Sequence, residues 1–316
     1  MTSHPPDRAA AVTGPGPDTT GPDATGLDAT GHDATGPDRA AAHPSPEPHE
    51  LRADALTLAY DGRRVVEGLD VVIPDGRVTV VVGPNACGKS TLLRSFARLL
   101  RPESGTVTLD GTEVHRFPSR RLATQLGLLP QQPVAPEGIT VADLVGRGRF
   151  PRQGLFRQWT GDDDRAVDDA LRATDTLAIA ERRVEELSGG QRQRVWIAMA
   201  LAQQTDVLLL DEPTTFLDVT HQIEVLDLLH ERNRVQGITV VMVLHDLNLA
   251  ARYADHLIVM SAGRIVAEGA PADVITPETV RTAFGLESLV VADPVSGSPM
   301  VVPKGRFHGG GASSAV

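Results

Sequence analysis

The sequence predicts an α/β fold with a mainly parallel sheet, an antiparallel β subdomain ahead of it and an inserted α-helical subdomain. Three observations predict it. Apolar runs at Val78 to Val82, Val207 to Leu210 and Thr239 to Leu244 are flanked by helical segments, the alternation expected of parallel strands buried on both faces. Before the first run, Leu56, Leu58 and Tyr60 alternate with polar or small residues and meet an Asp61-Gly62 turn, as in antiparallel strands. Between the first two runs, about Ala135 to Val184 reads as mainly helical.

The elements follow in order. Residues 1–48 are built of Pro, Gly, Asp, Thr and Ala, and from Thr20 they repeat every five residues as Thr-Gly-Pro-Asp-Ala and its variants. So short a period cannot form a packing unit, and nothing in it can bury a face. This stretch reads as a disordered low-complexity tail; translation from an upstream start codon is the other reading. Folded structure is expected from Leu51, within a domain spanning 49–290 whose helical subdomain runs from about 132 to 188. Val65, Val66, Leu69, Val71 and Ile73 extend the antiparallel part. After Val82 a helix is expected to carry Leu92, Leu93, Phe96, Leu99 and Leu100 on one face. Thr106 to Leu109 with Asp110-Gly111 suggests a strand and turn. His256 to Met260, Ser261-Ala262-Gly263 and Arg264 to Ala267 suggest a hairpin. Residues 291–316 read as a short β element and a flexible tail.

The chemistry starts at Gly83-Pro84-Asn85-Ala86-Cys87-Gly88-Lys89-Ser90-Thr91, which fits G-x-x-x-x-G-K-[ST] between a strand and a helix. In that setting the loop N–H groups and the helix N-terminus face nucleotide phosphates, Lys89 adds a mobile positive charge, and the Ser90 hydroxyl can ligate Mg²⁺. The fold is therefore expected to be that of a P-loop NTPase, with a RecA-like core. Val207 to Leu210 lead into Asp211-Glu212, two carboxylates at the C-terminal end of a strand, where ligands of open α/β sheets bind. Asp211 suits a Mg²⁺ ligand, and Glu212 suits the group that orients or deprotonates water. A plain helix start at Pro213 is the competing reading. Cys87 lies inside the loop at a helix N-terminus, which lowers a thiol pKa and would make it sensitive to alkylation; it is not read as a catalytic nucleophile, and its side chain is expected simply to fit the loop.

Leu187-Ser188-Gly189-Gly190-Gln191-Arg192-Gln193-Arg194 precedes a helix with Val195, Ala198, Met199 and Ala202 on its apolar side, baring N–H groups to an anion. With this run the chain resembles the ATP-binding cassette family over roughly residues 51 to 290. The resemblance implies that Ser188, Gly189, Gly190 and Gln191 of one copy close on the ATP bound to the phosphate loop of a second copy. It implies that Tyr60 stacks on adenine, although a strand-core aromatic is the alternative. Gln131 matches the glutamine loop that senses Mg²⁺ and water, with Gln132 a rival by register. Asp218 matches the loop that crosses the dimer interface, and His245 the switch histidine that touches the γ-phosphate. ATP and Mg²⁺ are the implied cofactors.

The runs Pro136-Glu137-Gly138-Ile139-Thr140-Val141, Gly146 to Pro151 and Gly154 to Trp159 resemble the permease-contacting part of ferric-siderophore importer ATPases. So do Pro213 to Asp218, His245 to Ala250 and Asp293 to Met300. The implied role is to energise an integral-membrane permease, with an extracytoplasmic substrate-binding protein in the same system and this subunit at the cytoplasmic face of the membrane. Cobalamin, haem or another metal chelate is the alternative cargo, and a soluble non-transport ATPase the alternative class.

Composition narrows the choices. A net charge of −11 argues against a general nucleic-acid footprint. The basic Arg147-Gly148-Arg149-Phe150-Pro151 cluster reads instead as a solvated or partner-facing surface. A single Cys excludes an internal disulfide framework and suits a reducing compartment. No apolar run approaches the roughly 18 residues of a membrane span, and the ten His residues show no metal-ligand spacing.

Overall fold

The computed structural model describes residues 48–153 and 159–305. The expected tail, residues 154–158 of the expected permease-facing run and the final tail from residue 306 lie outside the described residues. The first strands, β1 (Leu51–Tyr60) and β2 (Arg63–Ile73), pair antiparallel across the Asp61-Gly62 turn. Next come β3 (Val78–Val82), the phosphate loop and α1 (Lys89–Phe96). β4 (Ser104–Leu109) returns to pair with β1, and β5 (Thr112–Glu113) pairs with β4. Then follow α2 (Ser119–Gln125), β6 (Leu126–Leu129), α3 (Val141–Gly146), α4 (Gly161–Ala173) and α5 (Gly189–Ala202). β7 (Val207–Asp211), α6 (Val219–Gln236), β8 (Thr239–Val243) and α7 (Leu247–Tyr253) complete the parallel core. β9 (His256–Ser261) and β10 (Arg264–Gly269) form the expected hairpin. The short α8 (Pro271–Val274), α9 (Pro277–Phe284) and a second hairpin, β11 (Ser288–Ala292) with β12 (Pro299–Pro303), follow.

Among the described residues the core sheet runs β10-β9-β3-β8-β7-β6, parallel except at β10. Its buried strands serve two cores by alternation. Val80, Leu208, Leu210, Val240 and Met242 face one, which also holds Val141, Leu144, Trp196 and Ile197 from the helical side. Val81, Val207, Leu209, Val241 and Val243 face the other, against Leu56, Leu58, Leu92 and Phe96. That is the period of two expected of strands covered on both faces.

Parallel register has a functional consequence. Leu129 is level with Leu210, Leu210 with Met242, and Asp211 and Val81 with Val243. The segments leaving β3, β6, β7 and β8 therefore emerge along one edge, carrying Gly83, Gln131, Glu212 and His245.

Two expectations are corrected, and one stretch left without an element gains two. The helix after the phosphate loop stops at Phe96; Arg98 takes φ 61°, and Leu99 is 66% exposed rather than on the buried face. Residues 119–129, given no element from sequence, form α2 and the strand β6. Arg149 is buried rather than solvated, bonded to Asp163.

Candidate functional site

The phosphate loop is shaped by close approach. A Cβ on Gly83, at φ +155°, would lie 2.1 Å from the Met260 carbonyl oxygen, so only glycine lets the loop pass β9. The loop then turns into α1 at Gly88. Lys89 is buried, and its Nζ donates to the Gly83 and Pro84 carbonyls at 2.9 Å each. Its charge is thus held over the loop, where phosphate oxygens would compete for its protons.

Asp211, at the end of β7, is buried by its neighbours. Its Oδ1 accepts the Ser90 hydroxyl at 2.7 Å, while its Oδ2 is buried with no hydrogen-bond partner. Burial raises the Asp211 pKa, as does the nearby Glu212 charge, and the Ser90 bond and the Lys89 and Arg94 charges pull the other way. A buried carboxylate oxygen without a partner beside a serine hydroxyl fits a hard divalent cation such as Mg²⁺. Among the described residues no group of three His, Cys, Asp or Glu could hold a metal ion, so remaining ligands would have to be phosphate and water.

Glu212 follows with φ 56°, a strained backbone for a non-glycine residue. Its Oε1 lies 2.7 Å from His245 Nε2, and its Oε2 accepts the Thr215 hydroxyl at 3.2 Å. A carboxylate can only accept, so the Nε2 proton of His245 points at it. Pro213 sits in a turn, and the next helix starts only at Val219, so the acidic pair is not a helix cap.

Glu212 and His245 line one cleft of about 730 Å³ with Asn85, Lys89, Ser90 and Gln131. Gln131 reaches this cleft; Gln132 lines only a neighbouring groove with Trp196 and Phe216. Tyr60 is 39% exposed, so it is not a core aromatic, and it is not among the residues lining the cleft; its hydroxyl accepts from Arg94 at 3.5 Å. Arg63, Arg64 and Val65 form a wall that sequence reading missed, together with the Ala262-Gly263 turn. No local pattern marks them, because only the fold brings β2 and the β9–β10 turn to the loop. Cys87 is buried in the loop as expected, but its pKa is not lowered. Burial raises its pKa, outweighing the lowering by Lys89, so the thiol stays protonated and shielded.

Ser188, Gly189, Gly190 and Gln191 line a second concavity. Ser188 caps α5: its Oγ accepts from Gln191 N, and the Gln191 side chain accepts from Ser188 N, both at 3.2 Å. Val195, Ala198 and Ala202 seat the helix, with Met199 half-buried. Asp218 and Phe216 share this concavity. Asp218 caps α6 by accepting from His221 N at 2.9 Å, and His221 holds its carboxyl below the usual range. One chain therefore carries two anion-facing surfaces, a phosphate loop with a carboxylate pair and a glycine-rich helix N-terminus, that line different concavities.

The sequence profile of the family described as ABC transporter matches residues 66–215. The achromobactin transport ATP-binding protein of Dickeya dadantii is 54% identical, over 79% of this chain and 93% of its own length. The ferric enterobactin transport ATP-binding protein of Escherichia coli is 52% identical, over 81% of this chain and 94% of its own. Among solved structures, one described as an inward-facing metal-chelate type ABC transporter aligns with a TM-score of 0.70 at 27% identity, covering 82% of this chain and 99% of that one. The protein belongs to the ABC transporter family, as one of its ATP-hydrolysing subunits.

Proposed function

We propose that this subunit powers a membrane permease importing ferric siderophores, working as a homodimer with two ATP molecules between the copies. The observation that carries the two-copy reading is the separation of the surfaces within one chain. Lys89 and Glu212 line one concavity, and Ser188 to Gln191 line another. In this reading a phosphate held at the first surface is met by the second surface of another copy. A dimeric ABC transporter cassette with a TM-score of 0.64 at 27% identity, covering 70% of this chain and 98% of that one, supports that arrangement.

The roles follow from the side chains. The phosphate loop from Gly83 to Thr91 cradles the triphosphate, with Lys89 moving from the loop carbonyls onto phosphate oxygens. Ser90 and Asp211 hold Mg²⁺, and Gln131 completes that side of the cleft. The bound Mg²⁺ would supply charge neutralisation on the phosphates. Glu212 orients the attacking water and takes its proton, while His245 holds the Glu212 carboxylate and faces the γ-phosphate. Ser188, Gly189, Gly190 and Gln191 of the second copy present N–H groups to the same phosphate, and Asp218 lies beside them at the interface. Tyr60 stacks on adenine from the rim.

No helix among the described residues is long and apolar enough to cross a membrane. In this reading the subunit sits peripherally on the cytoplasmic face of a permease, and a substrate-binding protein delivers cargo outside. An apolar groove lined by Leu99, Leu122, Leu126, Leu128 and Pro130 next to the Gln131 loop is where a permease helix would bear. The cargo reading rests on relatives 45–54% identical whose names specify achromobactin, ferric enterobactin, petrobactin and iron-hydroxamate transport. A cobalamin import protein of Halobacterium salinarum, 42% identical, keeps a second cargo in play.

Uptake of radiolabelled iron as several ferric siderophores, in cells carrying wild-type or Lys89→Ala protein, tests this. Loss of uptake of one chelate class in the mutant is expected. Unchanged uptake of all of them, with cobalamin uptake lost, overturns the siderophore reading and leaves the ATPase assignment intact.

A further inference from the structure

Arg149 is 3% exposed and its partner Asp163 1%. Arg149 Nε donates to Asp163 Oδ1 at 2.9 Å; its Nη1 donates to the Ala202 carbonyl at 2.7 Å and to Gln204 Oε1 at 2.9 Å. Ala202 is the last residue of α5, the helix that opens with Gly189-Gly190-Gln191. Arg152 donates to the carbonyls of Gln203 and Gln204 just beyond it. Gln203 Nε2 donates to the Ala123 carbonyl in α2 at 2.7 Å. A Cβ on Gly148 would lie 2.4 Å from the Met199 carbonyl oxygen, so the 147–152 turn is pressed onto α5.

Stability is a poor explanation for such a pair. Desolvating two charges offsets much of their attraction, and apolar side chains of similar volume serve a fold as well. The geometry instead suits a mechanical joint. The fourteen residues of α5 form a stiff rod of about 21 Å. A tilt of about 5° at its C-terminus moves its N-terminus by about 2 Å. The charged fork grips that C-terminus, and donors there are also favoured by the helix dipole.

We infer that Arg149 is a positioning residue for ATP hydrolysis: clamped between Asp163 and the C-terminal carbonyls of α5, it sets the tilt that brings Ser188, Gly189 and Gly190 onto the triphosphate held by a second copy. The inference rests on the two-copy reading above. It makes Arg149 a determinant of turnover and not of nucleotide affinity, because no group it touches lines the phosphate-loop cleft.

The test uses the purified full-length chain and three readings: thermal melting, ATP affinity without Mg²⁺, and steady-state ATP turnover with Mg²⁺. Asp163 also accepts from Thr160 in the cap of α4, so the charge-free variant is Arg149→Met with Asp163→Asn, which keeps that acceptor. Arg149→Lys is the conservative partner, retaining the charge without the fork. The expected result is near-wild-type melting and ATP affinity in the double variant with turnover down ~10–100-fold, and an intermediate rate for Arg149→Lys. Unchanged turnover in a folded double variant overturns the inference, and so does weakened ATP affinity in proportion to the lost rate. Failure of both variants to fold also overturns it, since the pair then serves only the fold. Wild-type turnover that shows no cooperativity with protein concentration overturns the two-copy reading itself.

Discussion

His245 Nε2 lies 2.7 Å from Glu212 Oε1, although the two residues leave different strands. Parallel register of β7 and β8 makes the contact, since Asp211 is level with Val243. The Thr215 hydroxyl holds the other carboxylate oxygen. Glu212 is thus aimed from both sides before any water arrives. Replacing it with Gln keeps the size and one acceptor oxygen but removes the base. Turnover by Glu212→Gln should fall ~10²–10⁴-fold while ATP still binds. An ATP-dependent dimer should then accumulate on size exclusion. Rapid steady hydrolysis by this variant would falsify the role.

Asp211 carries a cost that its cation would relieve. Its Oδ2 is buried without a partner, and burial disfavours the charge. Asp211→Asn removes the charge and keeps an acceptor for Ser90. The nucleotide-free variant is expected to melt at or above the wild-type temperature, with Mg²⁺-dependent turnover lost. Melting well below wild type together with retained Mg²⁺-dependent turnover contradicts the assignment.

What could be read from the chain followed the range of the interactions. Lys89, Ser188 and the Asp211-Glu212 pair announce themselves because strand, loop and helix are contiguous there, so local pattern and chemistry coincide. That Gln131 and not Gln132 lines the phosphate-loop cleft depends on how the chain leaves β6, which no neighbouring residue encodes. Arg149 was misread because its partners, Asp163 and Ala202, belong to two later helices; an arginine beside an exposed Phe150 looks solvated until those helices close over it. The lowered thiol pKa expected of Cys87 fails for a similar reason. The helix N-terminus is visible in sequence, but the burial that raises the thiol pKa comes from the loop passing β9. The wall formed by Arg63 and Arg64 left no trace, since the hairpin that carries them is ordinary by sequence.

Ala86 stands in the phosphate loop at φ 61°, where a Cβ is disfavoured by roughly 1–2 kcal/mol. Glycine relieves that strain but has a more flexible unfolded chain, which costs back roughly 0.5–1 kcal/mol. Ala86→Gly should therefore stabilise the protein by about 0.5–1 kcal/mol, seen as a melting temperature a few degrees higher. A β-branched Val at the same position should lower it. If Ala86→Gly melts lower than wild type, the loop backbone is not strained there.

His49 ties the start of the described chain to two acidic residues. Its Nδ1 lies 2.8 Å from Asp110 Oδ2 beyond β4, and its Nε2 3.5 Å from Asp206 Oδ2 just before β7. Burial by itself lowers the histidine pKa. The hydrogen bond and charge of Asp110, with the charge of Asp206, outweigh it, and the pKa stands above the ordinary 6.5. The folded protein thus holds the proton more tightly than the unfolded chain. That contribution is full below about pH 6.5 and is lost as pH rises through the raised value. His49→Gln removes it. The melting-temperature gap between wild type and variant should be a few degrees near pH 6 and close to nothing near pH 9. Because the Asp206 contact is partly exposed, salt should narrow the gap at the lower pH. A gap that stays constant from acid to alkaline conditions would mean that His49 acts by packing alone.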